Sequence, residues 1–202
     1  MKFNYSLLLQ AQKITTLSEI EFAVIGAVIA FDVLTTSWFT AALHKKLAMK
    51  IQPFASLFLA GGRALLMLAG IFLGMLMQLT LGQYSFASAM SLLVIVGIKS
   101  CLDAINYNVD EKVILIDNIT TALLLSAAGG IVAFLTGLAI GTAGGPMLLP
   151  VISVFFATLF LVIAGIKAGE HYGFKPSIKY AGLLSGIVIA CFGVIHLVLQ
   201  FI

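Results

Sequence analysis

Long runs of apolar residues, separated by short polar stretches, make up nearly all of this chain of 202 residues. A helix of about 20 residues crosses the hydrocarbon core of a bilayer. Six of the runs reach about that length, and we call them segments 1 to 6: residues 22–43, 54–81, 86–102, 119–142, 147–168 and 180–202. The pattern therefore predicts an all-α integral membrane protein with six transmembrane helices.

The composition agrees with this architecture. Hydrophobic residues make up 61% of the chain and charged residues 9%, whereas a soluble domain carries roughly 25% charged residues. The six segments leave little chain for a soluble domain, so we expect one membrane domain over residues 1–202. The formal net charge of +3 gives no reason to expect a nucleic-acid partner, because the charges flank the segments.

The positive charges lie mostly on one side of the predicted bundle. Nine of the eleven Lys and Arg residues share that side, and only Lys2 and Lys13 lie on the other. The positive-inside rule then places the loops after segments 1, 3 and 5 in the cytoplasm and both termini outside, with a bacterial inner membrane as the expected location. The acidic linker of about 103–118 falls on the cytoplasmic side. We expect Arg63 to anchor segment 2 at the cytoplasmic interface by snorkelling.

Two sequence matches at almost the same spacing indicate an internal duplication. The stretch LMLAGIFLG (66–74) resembles LVIAGIKAG (161–169), 95 residues later, and SLLVIVGI (91–98) resembles GIVIACFGV (186–194), with Gly97 and Gly193 separated by 96 residues. A unit of three helices ends on the opposite side from where it begins, so its copy has to be inverted. The matches predict a 3+3 inverted repeat, about 18–105 and about 117–202, with a binding site near the membrane midplane.

Segment 1 contains a carboxylate in an otherwise uncharged apolar run, GAVIAFDVLTTSW (26–38). Asp32 lies ten residues after Phe22, which is about 15 Å along a helix and halfway through the hydrocarbon core. Thr35, Thr36 and Thr40 follow at i+3, i+4 and i+8, so the four residues form a polar arc about 140° wide on one helical face. Acidic residues at this depth are costly and commonly mark transport pathways.

Two interpretations of Asp32 stay open. In the first, Asp32 is protonated and hydrogen-bonds to a neighbouring helix as a packing contact. In the second, it binds a cation, carries a proton, or does both in alternation, and its hard oxygens suit Mg, Ca or Mn better than copper. Gln78 in segment 2 is a further candidate for the same polar face, although packing explains it equally well. Cys101 and Cys191 form no CxxC pair and are expected at depths that differ by roughly half the membrane.

Three stretches of the chain carry a resemblance to a known family: DVLTTS (32–37), GIKSCLD (97–103) and ALLLSAAGGIVAFLTGL (122–138). They resemble motifs of the small six-helix manganese efflux pumps (MntP-like, with the related sporulation protein YtaF) in the LysE transporter superfamily. The first stretch keeps the Asp and the Ser of the family's first motif. The family's second Asp falls on Val132, so the resemblance implies a pair of acids of which only Asp32 is kept. Thr136, one turn further on, offers a neutral oxygen there.

The resemblance implies a secondary transporter that exports a small cation, most readily a divalent one such as Mn²⁺, in exchange for protons. Asp32 is then the metal ligand and proton acceptor, and Thr35, Thr36, Thr136 and Gln78 complete the binding residues. The chain has no Gly-x-x-x-x-Gly-Lys-Ser/Thr motif, so gradients have to supply the driving force. No enzymatic activity and no cofactor are expected. The partners are the lipid bilayer and the cation, and a homodimer stays open.

Two alternatives remain. Loss of the second acid at Val132 motivates a homologue that does not transport and acts as a membrane scaffold or partner subunit. A membrane thiol–disulfide protein is the other alternative, and it requires that Cys101 and Cys191 approach each other.

Overall fold

The computed structural model describes residues 19–43, 45–105, 119–173 and 179–201, and in these ranges the chain is helical apart from short connections. The described residues form seven α-helices: α1 (Glu19–Ile29), α2 (Phe31–Leu43), α3 (Lys45–Leu81), α4 (Ser85–Ile105), α5 (Ile119–Thr142), α6 (Leu148–Tyr172) and α7 (Lys179–Phe201). A short 3₁₀ turn, Gly82–Tyr84, joins α3 to α4. Most of the linker predicted at 103–118 lies outside the described residues.

The predicted segments correspond to these helices, with segment 1 divided between α1 and α2. Five stretches of the described chain are long and apolar enough to cross a membrane: Ile20–Trp38, Ser56–Leu81, Ser85–Ile105, Leu148–Tyr172 and Tyr180–Leu199. A shorter apolar stretch, Gly129–Thr142, belongs to α5. The chain is therefore an all-α integral membrane protein.

Glycines let the helices approach closely in three pairs: α3 with α5, α2 with α6, and α4 with α7. A β-carbon at each of the six glycines named below would come within 3.0 Å of the backbone of the partner helix. Such contacts replace the hydrophobic driving force that is missing between helices in lipid. The pairs are Gly70 with Phe134, Gly74 with Leu138, Gly165 with Leu34, Gly169 with Trp38, Gly97 with Ala190, and Gly193 with Met90 and Val94.

The first membrane helix is interrupted at Ala30, between α1 and α2. The Ala30 N–H donates to the Ala27 carbonyl and the Val33 N–H donates to the Ala30 carbonyl, each over 3.1 Å. These i→i−3 bonds are tighter than the i→i−4 bonds of an α-helix. Because α2 begins at Phe31, the interruption places Asp32 in the first turn of a new helix.

Candidate functional site

Asp32 forms a two-pronged ion pair with Arg63, across the interface between α2 and α3. Arg63 Nη1 donates to Asp32 Oδ1 over 2.7 Å, and Nη2 donates to Oδ2 over 3.0 Å. The planar guanidinium matches the two carboxylate oxygens, and such charge-assisted pairs are among the strongest hydrogen bonds in proteins. The side chain of Arg63 is 4% exposed and that of Asp32 is 36% exposed.

Gly129 of α5 provides the space for the Arg63 guanidinium. A β-carbon at Gly129 would collide with Nη2 of Arg63, so a larger residue at this position would force the guanidinium to shift. Arg63 Nε is buried and has no hydrogen-bond partner among the described residues. The site thus joins three helices, α2, α3 and α5, around one guanidinium with one unpaired donor.

Asp32 and Arg63 both lie inside stretches that are long and apolar enough to cross a membrane. Arg63 is seven residues after the start of Ser56–Leu81, and Asp32 is six residues before the end of Ile20–Trp38. An arginine anchored at an interface lies near a helix end with its charge outside the apolar region. The expectation that Arg63 snorkels to the interface is therefore wrong, because its charge is neutralised inside the bundle by Asp32.

The surroundings of the Asp32 side chain are electropositive in this conformation. The positive guanidinium lies at hydrogen-bonding distance, and the N-terminal turn of a helix favours negative charge through the helix dipole. The pair is neutral as a whole, which lowers the energy needed to hold it in an apolar bundle. The Asp32 carboxylate thus binds a positive charge in this structure, and that charge belongs to the side chain of Arg63.

The threonines predicted with Asp32 take different places around it. Thr36 donates to the Asp32 carbonyl over 3.2 Å, and Thr136 donates to the Val132 carbonyl over 2.9 Å. The hydroxyl of Thr35 faces α7, where it lies 3.8 Å from the position that a β-carbon on Gly182 would take. The side chain of Thr40 lies outside the described residues. Of the threonines whose side chains the structure describes, Thr35 thus faces α7, whereas Thr36 and Thr136 bond to carbonyls of their own helices.

Gln78 is not part of this site. It lies fifteen residues beyond Arg63 on α3, about 22 Å along the helix axis. Its side chain packs against Gly144, in the turn that follows α5. Gly144 has a φ of +72°, and the Gly144 and Gly145 N–H groups bond back to the Gly141 and Ile140 carbonyls, which is a Schellman helix end. A binding role for Gln78 stays a prediction, and it would lie at another depth than Asp32.

The two cysteines lie closer in depth than expected, but not close enough to bond. Cys101 of α4 packs beside Gly186 of α7. Cys101 and Cys191 are both free thiols. Gly97 faces Ala190 and Cys101 faces Gly186, and these two contacts fix the register of the antiparallel helices α4 and α7. Cys191 is therefore level with residue 96, about 7.5 Å along the axis from Cys101. A disulfide needs α-carbons within about 7 Å.

No group of three or more His, Cys, Asp or Glu residues lies together anywhere in the described ranges. Val132 is 6% exposed and belongs to the apolar core. A hard cation at this site would therefore have one carboxylate, that of Asp32, with neutral oxygens for its other ligands. Such a donor set suits Mg, Ca or Mn.

Arg63 is the residue that the sequence reasoning missed. A signal for it was present: the chain has a single arginine, and it lies inside an apolar segment, as Asp32 does. Charges inside a bundle usually pair with one another, so two lone charges of opposite sign in neighbouring segments predict a pair. The positive-inside count does not depend on Arg63, because eight of the ten remaining basic residues share one side.

Comparisons with known proteins match this chain to a family. Residues 44–197 match the family described as "Putative manganese efflux pump" (Mntp), and this match begins after the segment that carries Asp32. A relative named "Putative manganese efflux pump MntP", from Methanospirillum hungatei, is 25% identical over 170 residues, which cover 84% of this chain and 88% of the relative. No solved structure matches the chain.

Proposed function

The chain belongs to the manganese efflux pump family, and from this premise we propose that it is a secondary transporter that exports a divalent cation, with Mn²⁺ as the first candidate. Protons move in the opposite direction in this proposal. Asp32 binds the cation in one state and accepts a proton or an internal counter-charge in the other. A bacterial inner membrane with both termini outside is the proposed location.

The observation that carries the proposal is the position of Asp32. The carboxylate lies inside the apolar stretch Ile20–Trp38, two residues after the interruption at Ala30, and its side chain is 36% exposed. Interrupted helices at mid-membrane are where many secondary transporters bind ions, because the helix ends present dipoles and free backbone groups.

Repeated contacts support the proposal of a 3+3 inverted repeat. Gly70 meets the Phe134 carbonyl, and Gly165, 95 residues after Gly70, meets the Leu34 carbonyl, 100 residues before Phe134. The same offsets relate further contacts in the two halves. Gly74 lies against Leu138 O and Thr142 N, as Gly169 lies against Trp38 O and Ala42 N. The Thr36 hydroxyl donates to Asp32 O, as the Thr136 hydroxyl donates to Val132 O.

The decisive experiment is exchange in proteoliposomes, with a panel of divalent cations inside and a pH-sensitive dye outside. We expect Mn²⁺-dependent proton movement for the wild type and none for Asp32→Asn. Asp103→Asn is the matched control, because it removes the same charge from an exposed pair with Lys99, at the end of α4. Equal exchange by wild type and Asp32→Asn would contradict the proposal.

A second variant tests the family comparison directly. Val132→Asp introduces the acid that the resemblance places there, and it should strengthen Mn²⁺ binding, because two carboxylates attract a divalent ion more than one does. In this structure position 132 is buried in the apolar core, so the variant should be less stable without metal and be stabilised by added Mn²⁺. Stability that does not respond to Mn²⁺ would count against a second carboxylate ligand at this position.

The scaffold alternative has one observation in its favour. Arg63 neutralises the single acid of the site, and a neutral pair can serve to hold α2 and α3 together. A scaffold predicts that no cation in the panel moves with the wild-type protein, and that a partner protein copurifies with it in stable proportion. Mn²⁺ exchange by the pure protein would exclude this alternative.

A further inference from the structure

The guanidinium of Arg63 and a divalent cation need the same atoms. Both carboxylate oxygens of Asp32 accept a hydrogen bond from Arg63, over 2.7 and 3.0 Å. A hard divalent cation binds a carboxylate through these oxygens as well. The positive charge of Arg63 at this distance would also repel the cation. A divalent ion can therefore occupy Asp32 only after Arg63 has moved away from it.

The two partners differ in how they are held. The carboxylate of Asp32 is 36% exposed, whereas the guanidinium of Arg63 is 4% exposed and lies against Gly129. The buried Arg63 is not fully hydrogen-bonded, since its Nε has no partner within the described part of the chain. A buried unpaired donor is unfavourable. Asp32, the accessible partner, is the one that a cation would bind, and Arg63, the enclosed partner, lacks a hydrogen bond at Nε.

The interruption at Ala30 gives Asp32 a way to move relative to Arg63. Asp32 lies two residues after it, in the first turn of α2. The rest of α2 is held to α6, because Leu34 lies against Gly165, Trp38 Nε1 donates to the Gly173 carbonyl over 2.9 Å, and the indole stacks on Tyr172. A change of the backbone at Ala30, or of the side-chain torsions of Arg63, is therefore the movement that would separate the carboxylate from the guanidinium.

The proposed repeat offers a comparison within the same chain. The offsets of 100 and 95 residues relate Asp32 to Val132 and Arg63 to Thr158. Both of these positions are buried, with 6% and 0% exposure, and neither carries a charge. The hydroxyl of Thr158 has no hydrogen-bond partner among the described residues. The second half thus lacks the acid and the base together, as expected if Arg63 is present because Asp32 is.

We propose that Arg63 is a tethered counter-cation, which occupies Asp32 in this conformation and which the transported divalent cation has to displace in each cycle. This inference rests on the proposed function and adds a specificity-determining residue to it. A monovalent ion carries no more charge than the guanidinium and cannot match its two-pronged fit to the carboxylate. Arg63 therefore favours divalent over monovalent cations at a site with a single acid.

Chemical labelling of arginine tests the displacement directly, because Arg63 is the only arginine in the chain. The full-length protein in nanodiscs is treated with phenylglyoxal, and the adduct is followed by mass spectrometry. We expect MnCl₂ to speed labelling at least five-fold and KCl of equal ionic strength to leave the rate unchanged. Asp32→Asn should label at a rate that does not depend on Mn²⁺. An Mn²⁺-independent rate for wild-type protein that exchanges Mn²⁺ would overturn the inference and leave the proposed function standing.

Calorimetric Mn²⁺ binding gives a second, independent measurement. Arg63→Gln should bind Mn²⁺ at least ten-fold more tightly than the wild type, because no guanidinium competes for the carboxylate. Gly129→Ala, which pushes the guanidinium from its place while keeping its charge, should act in the same direction. Lys99→Gln is the matched control and should leave binding unchanged, since Lys99 pairs with Asp103 outside the site. Unchanged or weaker binding by Arg63→Gln contradicts the inference, whereas no Mn²⁺ binding by wild type and Arg63→Gln alike contradicts the proposed function itself.

Discussion

The ion pair between Asp32 and Arg63 should couple the stabilities of α2 and α3. Asp32→Asn removes the negative charge and leaves a guanidinium that is 4% exposed without a counter-charge. Breaking a buried pair in this way typically costs about 3–5 kcal/mol. Because the Asp32 side chain is 36% exposed and Asn keeps one acceptor oxygen, we expect the lower end, a loss of about 3 kcal/mol in the free energy of unfolding.

The reverse substitution should be milder. Arg63→Gln leaves a carboxylate that is partly exposed and lies in the first turn of a helix, so we expect a loss of about 1–2 kcal/mol. In the double variant no charge is left without a partner, and the loss should be about 2 kcal/mol instead of the sum of about 4–5 kcal/mol. The coupling energy between the two positions is then about 2–3 kcal/mol, at the upper end of the range for contacting residues.

Unfolding in mixed micelles, followed by the fluorescence of Trp38, measures these differences. Trp38 is the only tryptophan of the chain and lies on α2, six residues after Asp32. The control is Asp103→Asn, which breaks the i,i+4 pair with Lys99; both side chains are more than 40% exposed, and such pairs contribute only about 0.3–0.5 kcal/mol. Additive losses for Asp32→Asn and Arg63→Gln, or losses no larger than that of the control, would refute the reasoning.

The remaining predictions concern helix packing. Gly97→Ala and Gly193→Ala should each destabilise the protein by about 1–3 kcal/mol, because the added methyl group collides with the partner helix in the α4–α7 pair. Gly61→Ala is their control, since nothing lies within 4 Å of its added methyl group, and it should stabilise α3 by up to about 1 kcal/mol; equal midpoints for all three variants would contradict the packing. Trp38→Phe removes the hydrogen bond to the Gly173 carbonyl but keeps an aromatic ring, so we expect a loss of about 1 kcal/mol, measured by loss of tertiary circular dichroism in the same micelles.

The sequence by itself determined the class of the protein and the position of its helices. Apolar runs of membrane-spanning length are a local property of the chain, because each helix satisfies its own backbone hydrogen bonds in lipid. The acid at mid-segment was visible for the same reason, as one charge against an apolar background. The glycines in the repeated stretches were visible in the same way, and Gly70, Gly165, Gly97 and Gly193 all lie in close contacts between helices.

Only the tertiary structure decided what Asp32 binds and which predicted residues accompany it. Arg63 is separated from Asp32 by 31 residues, and its role depends on which faces of α2, α3 and α5 meet. Helical periodicity places Thr35 and Thr36 near Asp32 on one helix, but it carries no information on the neighbouring helix, and Gln78 proved to lie at another depth. The interruption at Ala30 was equally hidden, because no proline or glycine marks it. Contacts between helices are set by packing across the whole bundle, so they cannot be read from any one segment.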